Sequence, residues 1–255
     1  MPHGTHWSVA RRDIAESIRR GLLVGAAALA IAIPPAIQTA SPISFATHSK
    51  QIALAFRAAP RFADFGAHTP SPDARHVADW VADSRDNAGS DFVIVDKKHT
   101  TIHVFDADAR LLGSTPVLLG AAPGDDSVTG IGERAIADVL PAERTTPAGR
   151  FIAEPGRNTL GEDVVWVDYA AAVSMHRVRV TDARERRLER LATPSSDDNR
   201  ISYGCINVPV AFYEAYIRPT FAARRALVYV LPEVKATQQV FGSYDVAATH
   251  GLMPN

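Results

Sequence analysis

One cysteine occurs in 255 residues, Cys205, inside the stretch RISYGCINVP that runs from Arg200 to Pro209. A thiol becomes a nucleophile when a base removes its proton and nearby donors hold the charge that develops on the group attacked. Gly204, just before it, lets the backbone approach a substrate carbonyl closely, and the N–H groups of Gly204 and Cys205 are the expected oxyanion donors. The same side chain also suits a plain role as a small buried apolar residue. Nine histidines are available as the base. His3 and His6 belong to the N-terminal segment, His48, His68 and His76 to a lead-in, and His250 to the C-terminal tail; His99 falls in an expected turn and His103 on an early strand. His176 differs from these. It ends the apolar run AAVSMH, and one segment separates it from Cys205.

Other chemistries find little here. No G-x-S-x-G occurs, and one cysteine with scattered histidines offers no zinc ligand pair, so no metal is expected. GIGERA, 130–135, matches only part of a dinucleotide loop and no strand leads into it, so no cofactor is expected either. A formal net charge of −1, with no basic block outside the N-terminal region, excludes an electrostatic footprint for nucleic acid.

The start of the chain sets an address. Arg11, Arg12, Arg19 and Arg20 precede the apolar run GLLVGAAALAIAI, 21–33, which Pro34 and Pro35 end before a small and polar stretch. That order is the order of an export signal. Residues 1–46 are read as a signal peptide cleaved after Ala46, with Ala40 as the second site and an uncleaved membrane anchor as the alternative. Either way the rest of the chain is expected in the periplasm or at the extracytoplasmic face, and the membrane is met only through this segment. Exported cysteines usually pair as disulfides, so a lone thiol calls for a reason.

Residues 47–91 read as a linker and helical lead-in, where Ser71 caps and Pro72 opens a helix to Ser84 with Val77, Trp80 and Val81 on one face. Strands are predicted for FVIVD (92–96), TIHVFD (101–106), PVLLG (116–120), VVWVD (164–168), AAVSMH (171–176) and ALVYVL (226–231). Val210, Tyr213 and Ile217 predict a helix over 209–220. With Asn207 or Val208 as its N-cap, Cys205 would sit just ahead of a helix N-terminus, whose free N–H groups and dipole favour a thiolate. The reading is a mainly β catalytic domain over 92–232 with a few short helices, followed by a tail at 233–255.

His176 followed by SYGCIN, 202–207, is similar to the histidine and S-H-G-C-[IV]-R signature of the L,D-transpeptidase catalytic domain, the YkuD family. TTPAGRF, 145–151, resembles that family's T-P-x-G-x-F segment, and the run from Phe92 to Gly120 resembles its first strands. The resemblance covers about 92–231. It implies a β-rich fold in which the Cys205 thiolate, with His176 as base, attacks the carbonyl between the third and fourth residues of a peptidoglycan stem peptide. The terminal D-amino acid leaves, and an amine from another stem or from an envelope protein resolves the thioester. Such chemistry serves cell wall biogenesis and cell shape. Water in place of the amine would make the protein a carboxypeptidase or endopeptidase, and a non-catalytic wall-binding domain with an incidental thiol is the third reading.

Three positions depart from the pattern. Arg177 follows the histidine where a glycine or serine is frequent, Tyr203 replaces the histidine of S-H-G-C, and Asn207 replaces the arginine. Ser202, Tyr203, Gly204 and Asn207 are expected on the substrate side, with Arg177 or Arg200 standing in for the lost guanidinium. The long segment from Val178 to Arg200 reads as a solvated helix or a flap.

Overall fold

A computed structural model describes residues 59–222 and 225–252. The segment 1–46 read as a signal peptide, its expected cleavage positions and the first part of the lead-in lie outside the described residues. Helix α1 (Pro72–Ser84) has the start its sequence demands: Ser71 is the N-cap and its Oγ accepts the Ala74 N–H at 3.1 Å.

Ten strands follow: β1 (Phe92–Asp96), β2 (Thr101–Phe105), β3 (Leu111–Pro116), β4 (Leu119–Gly120), β5 (Gly149–Arg157), β6 (Asp163–Asp168), β7 (Val173–Arg177), β8 (Arg200–Ser202), β9 (Ile206–Val208) and β10 (Ala226–Val230). Eight form one sheet in the order β3-β2-β1-β10-β5-β6-β7-β9, and β4 pairs with β8 in a second. The β1–β10 and β7–β9 pairs are parallel, the other pairs of the large sheet antiparallel. The fold is mainly β.

The runs FVIVD and ALVYV are apolar throughout because both faces of these strands are covered. Val93, Val95, Val228 and Val230 enter one core with Met175, Ile206 and the helical run after β9, while Phe92, Ile94, Leu227 and Tyr229 enter a second core with Val77, Trp80 and Val81 of α1. Each such side chain contributes about 1.5–3 kcal/mol on full burial. The second core also takes Phe65 from the lead-in, and Phe241 of helix α5 (Thr237–Phe241) packs against it, stacking on Trp80 at a centroid distance of 6.4 Å.

Where the chain departs from its predicted elements, the cause is local. PVLLG is not one strand: Val117 and Leu118 separate β3 from β4, and Leu118 exchanges backbone hydrogen bonds with Asn207 at 3.0 and 2.8 Å, drawing the first strands round to the last. AAVSMH begins its strand at Val173, after a turn in which Ala172 has φ 54°. Strand β5 was not predicted, because Gly149, Pro155 and Gly156 read as breakers. At Gly156 a Cβ would lie 2.6 Å from the Trp166 ring, so glycine lets the indole lie across the strand.

The predicted helix at 209–220 forms as α3 (Val210–Phe212), a π segment Tyr213–Ile217 and α4 (Arg218–Phe221). Pro219 has no N–H to donate, which fits a widened turn before it. Its N-cap is Pro209 rather than Asn207 or Val208. Between Cys205 and the helix lies strand β9, so the expected placement of the thiol at a helix N-terminus is corrected.

Candidate active site

Strands β7 and β9 run parallel with His176 opposite Asn207 and Met175 opposite Ile206. Alternation along β7 turns Ser174 and His176 to one face and buries Met175 on the other. Cys205, one position before β9, therefore meets both. Ser174 Oγ lies 3.7 Å from Sγ, the Ala172 carbonyl accepts from the thiol at 3.6 Å, and the His176 side chain is in hydrogen-bonding reach of the sulfur. Burial pushes the Cys205 thiol up, but the hydrogen bond and charge of His176, with the backbone N–H and hydroxyl of Ser174, outweigh it and bring the pKa below the ordinary thiol value. The downward shift comes from the imidazole and Ser174 rather than from a helix dipole.

The ring is oriented by its own strand. His176 Nδ1 lies 2.8 Å from the Arg177 carbonyl oxygen, which can only accept, so Nδ1 carries the proton and Nε2 of the neutral ring is the basic nitrogen.

The loop that carries Cys205 is braced from two sides. Gly204 has φ 125°, and a Cβ there would lie 2.9 Å from the Thr145 carbonyl, so the position requires glycine. Thr146 Oγ1 accepts the Gly120 N–H at 2.9 Å and donates to the Gly204 carbonyl at 2.8 Å, which gives the TTPAGRF segment a structural task beside the thiol. Ser202 Oγ donates to the Cys205 carbonyl at 2.6 Å and accepts the Gly204 N–H at 3.1 Å. The expected oxyanion role of Gly204 is thereby corrected: its N–H is turned to Ser202. Asn207, buried, donates from Nδ2 to the same Cys205 carbonyl at 3.1 Å.

Behind this loop stands Lys97, fully buried, whose Nζ donates to the Gly124 carbonyl, to Asp125 at 3.0 Å and to the Thr146 carbonyl at 3.0 Å. Burial lowers its pKa against the pull of Asp125. Burial raises Asp125, but hydrogen bonds from the Lys235 and Val234 N–H groups and from Lys97 hold it below the usual carboxylate value.

Neither arginine expected to replace the lost guanidinium faces the thiol as a free donor. Arg177 grips Asp163 through both terminal nitrogens at 3.0 and 3.1 Å, Glu214 through Nε at 2.6 Å, and stacks on Tyr213. Arg200 is paired with Glu233 and donates to the Lys97 carbonyl at 2.8 Å, so it belongs to the buried charge network. Tyr203, exposed, lies under the Arg144 guanidinium at the cleft rim. Sequence reading missed Ser174 and Arg187. Ser174 was signalled by its two-residue spacing from His176; Arg187 was hidden in a charge run.

Two connected openings meet at Cys205 and His176: a cleft of about 420 Å³ walled by Ile131, Val139, Leu160 and Trp166, and one of about 280 Å³ that includes Arg179, Arg187 and Asn207. His103, the other strand histidine, packs on Phe65 and Phe105, away from the thiol. Among the described residues no cluster of ligating side chains could hold a metal, and no helix is long and apolar enough to cross a membrane.

Fold and site together define a mainly β domain with a thiol–imidazole pair at the meeting point of two clefts. No family model matches the chain, and no curated protein matches it in sequence. Among solved structures it is similar to the helical cell shape determining protein Pgp2 of Campylobacter jejuni, with 13% identity, TM-score 0.42, and coverage of 67% of this chain and 58% of that one. It is also similar to an L,D-transpeptidase from Mycobacterium smegmatis, with 16% identity, TM-score 0.33, and coverage of 56% and 58%. The catalytic domain of the Enterococcus faecium L,D-transpeptidase aligns at 16% identity and TM-score 0.31 over 56% of this chain and 98% of that domain. This chain thus spans less than two thirds of the length of the first two.

Proposed function

We propose that the protein is an exported cysteine acyl-transferase that acts on peptidoglycan stem peptides, an L,D-transpeptidase working through a thioester on Cys205. The observation that carries this reading is the Cys205 thiol within reach of the His176 ring, with its pKa lowered, at the head of an apolar-walled cleft.

In this reading the basic nitrogen of His176 takes the thiol proton and the thiolate adds to the carbonyl between the third and fourth stem residues. With the Gly204 N–H held by Ser202, the Cys205 N–H is the backbone donor assigned to the developing oxyanion. The C–N bond breaks, and the terminal D-amino acid leaves with the proton returned by His176. An acceptor amine then attacks the thioester and gives its proton to His176; the amide forms and the thiolate is released.

The test is incubation of the protein with a stem tetrapeptide and an amine acceptor, followed by mass spectrometry. The wild-type protein is expected to release the terminal residue and form the new amide, and Cys205→Ala to do neither while keeping its fold. Tripeptide alone assigns the site to a hydrolase. Full activity of Cys205→Ala overturns the thioester mechanism, and the absence of both turnover and adduct favours a wall-binding domain.

A further inference from the structure

The smaller of the two openings at the thiol carries a charge pattern that the mechanism above does not use. Arg179 and Arg187 line it together with His176, Tyr203, Cys205 and Asn207, and no aspartate or glutamate does. Both arginines come from the long segment between β7 and β8, Arg187 from the first position of helix α2 (Arg187–Ala192). Arg187 is held more firmly than a surface arginine. Its side chain is 13% exposed, Nε donates to Glu185 at 2.6 Å, and Nη1 donates to Asn207 Oδ1 at 2.7 Å. Arg179 has a looser partner, Glu162 at 3.5 Å.

Asn207 ties this guanidinium to the nucleophile. Its amide can be oriented one way only, because the Cys205 carbonyl accepts and the arginine donates: Nδ2 faces the former and Oδ1 the latter. One buried amide therefore fixes the distance from the backbone of the attacking residue to a fork of N–H donors. Glu185 and Asn207 each take one of its nitrogens, and Nη2 has no such partner among the described residues. A planar guanidinium so placed suits a carboxylate.

We infer that Arg187, docked on Asn207, is a specificity-determining residue that binds a free carboxylate close to the carbonyl attacked by Cys205, with Arg179 adding field at the rim. The substrate class is an acyl compound with an anionic group beside its scissile bond. The stem-peptide form of this inference rests on the function proposed above; the arginine assignment itself rests on the geometry of the thiol pocket.

Two arms test it on the full chain. In the first, the alkylation rate of Cys205 by iodoacetate is divided by that by iodoacetamide at fixed pH and low ionic strength. Arg187→Gln is expected to lower this ratio about tenfold, the scale of one hydrogen bond to a charged group, with Arg187→Lys in between. Arg186→Gln, which removes the same charge from an exposed neighbour paired with Glu189, controls for net charge. A ratio that Arg187→Gln leaves where Arg186→Gln leaves it overturns the assignment. In the second arm, the wild-type protein is expected to prefer a stem tetrapeptide over its C-terminal amide, and Arg187→Gln to lose that preference. If neither peptide reacts while the alkylation ratio still falls, the stem-peptide reading fails and the arginine assignment stands.

Discussion

Burial alone would push the Cys205 thiol upward, and the His176 ring supplies the larger part of what reverses that shift. Two opposed effects on one group give a directional prediction. The pH dependence of iodoacetamide alkylation should show a midpoint below that of an ordinary free thiol. His176→Gln keeps the burial and removes the compensation, so its midpoint should move above that value. Equal midpoints in the two proteins would detach the imidazole from the thiol. The pair was legible in the sequence, because a histidine at the end of an apolar strand and a lone cysteine after a glycine are both conspicuous. The mode of activation was not. It depended on whether 206–208 continued as strand or turned into helix, and Ile206-Asn207-Val208 next to Pro209 permits either until β7 is there to pair with it.

At the level of elements, the Cys205 loop is stabilised from behind by charges that its own segment lacks. Lys97, at the turn after β1, links Thr146 of the brace to Asp125, which in turn accepts the N–H groups of Glu233, Val234 and Lys235 after β10. Removing one partner of a buried pair costs about 3–5 kcal/mol. Lys97→Met should therefore lower the urea midpoint strongly and slow alkylation of Cys205 as the Thr146 brace loosens. Lys235→Ala, which loses only an exposed pair with Asp126, should change stability by about 1 kcal/mol or less. The folded-state pKa of Asp125 lies below its unfolded value, so its contribution is complete above about pH 4 and is lost as pH falls through the folded value. In a pH series of urea midpoints, Lys97→Met should show less of that acid-side loss than the wild-type protein. None of this network was readable beforehand: a single lysine after a strand and an Asp-Asp pair in a turn have no local signal, and only the topology joins them.

Across the whole molecule, β1 and β10 were predictable because burial on both faces makes them continuously apolar, and α1 because its helical periodicity marks one buried face. Strands β3, β5, β8 and β9 escaped because glycine, proline or short length masks alternation that only their neighbours enforce. Arg187 escaped for a different reason, since a run of arginines and glutamates looks the same whether it faces solvent or a buried amide. The join between Leu118 and Asn207 has a consequence for how this protein breathes. The sheet is drawn round at that point by one pair of reciprocal hydrogen bonds, with only the short β4–β8 pair beside it, and Asn207 is the residue whose side chain holds both the Cys205 carbonyl and Arg187. Opening there breaks few bonds, so the Leu118 and Asn207 amides should exchange with solvent deuterium sooner than Val228 in the middle of the sheet, at a free energy below that of global unfolding. Exchange at Asn207 as slow as at Val228 would show the seam to be as tight as the ladder. Each such opening would release the grip on the thiol loop and on the guanidinium together, so Cys205 and Arg187 would lose their fixed places in one motion and regain them in one.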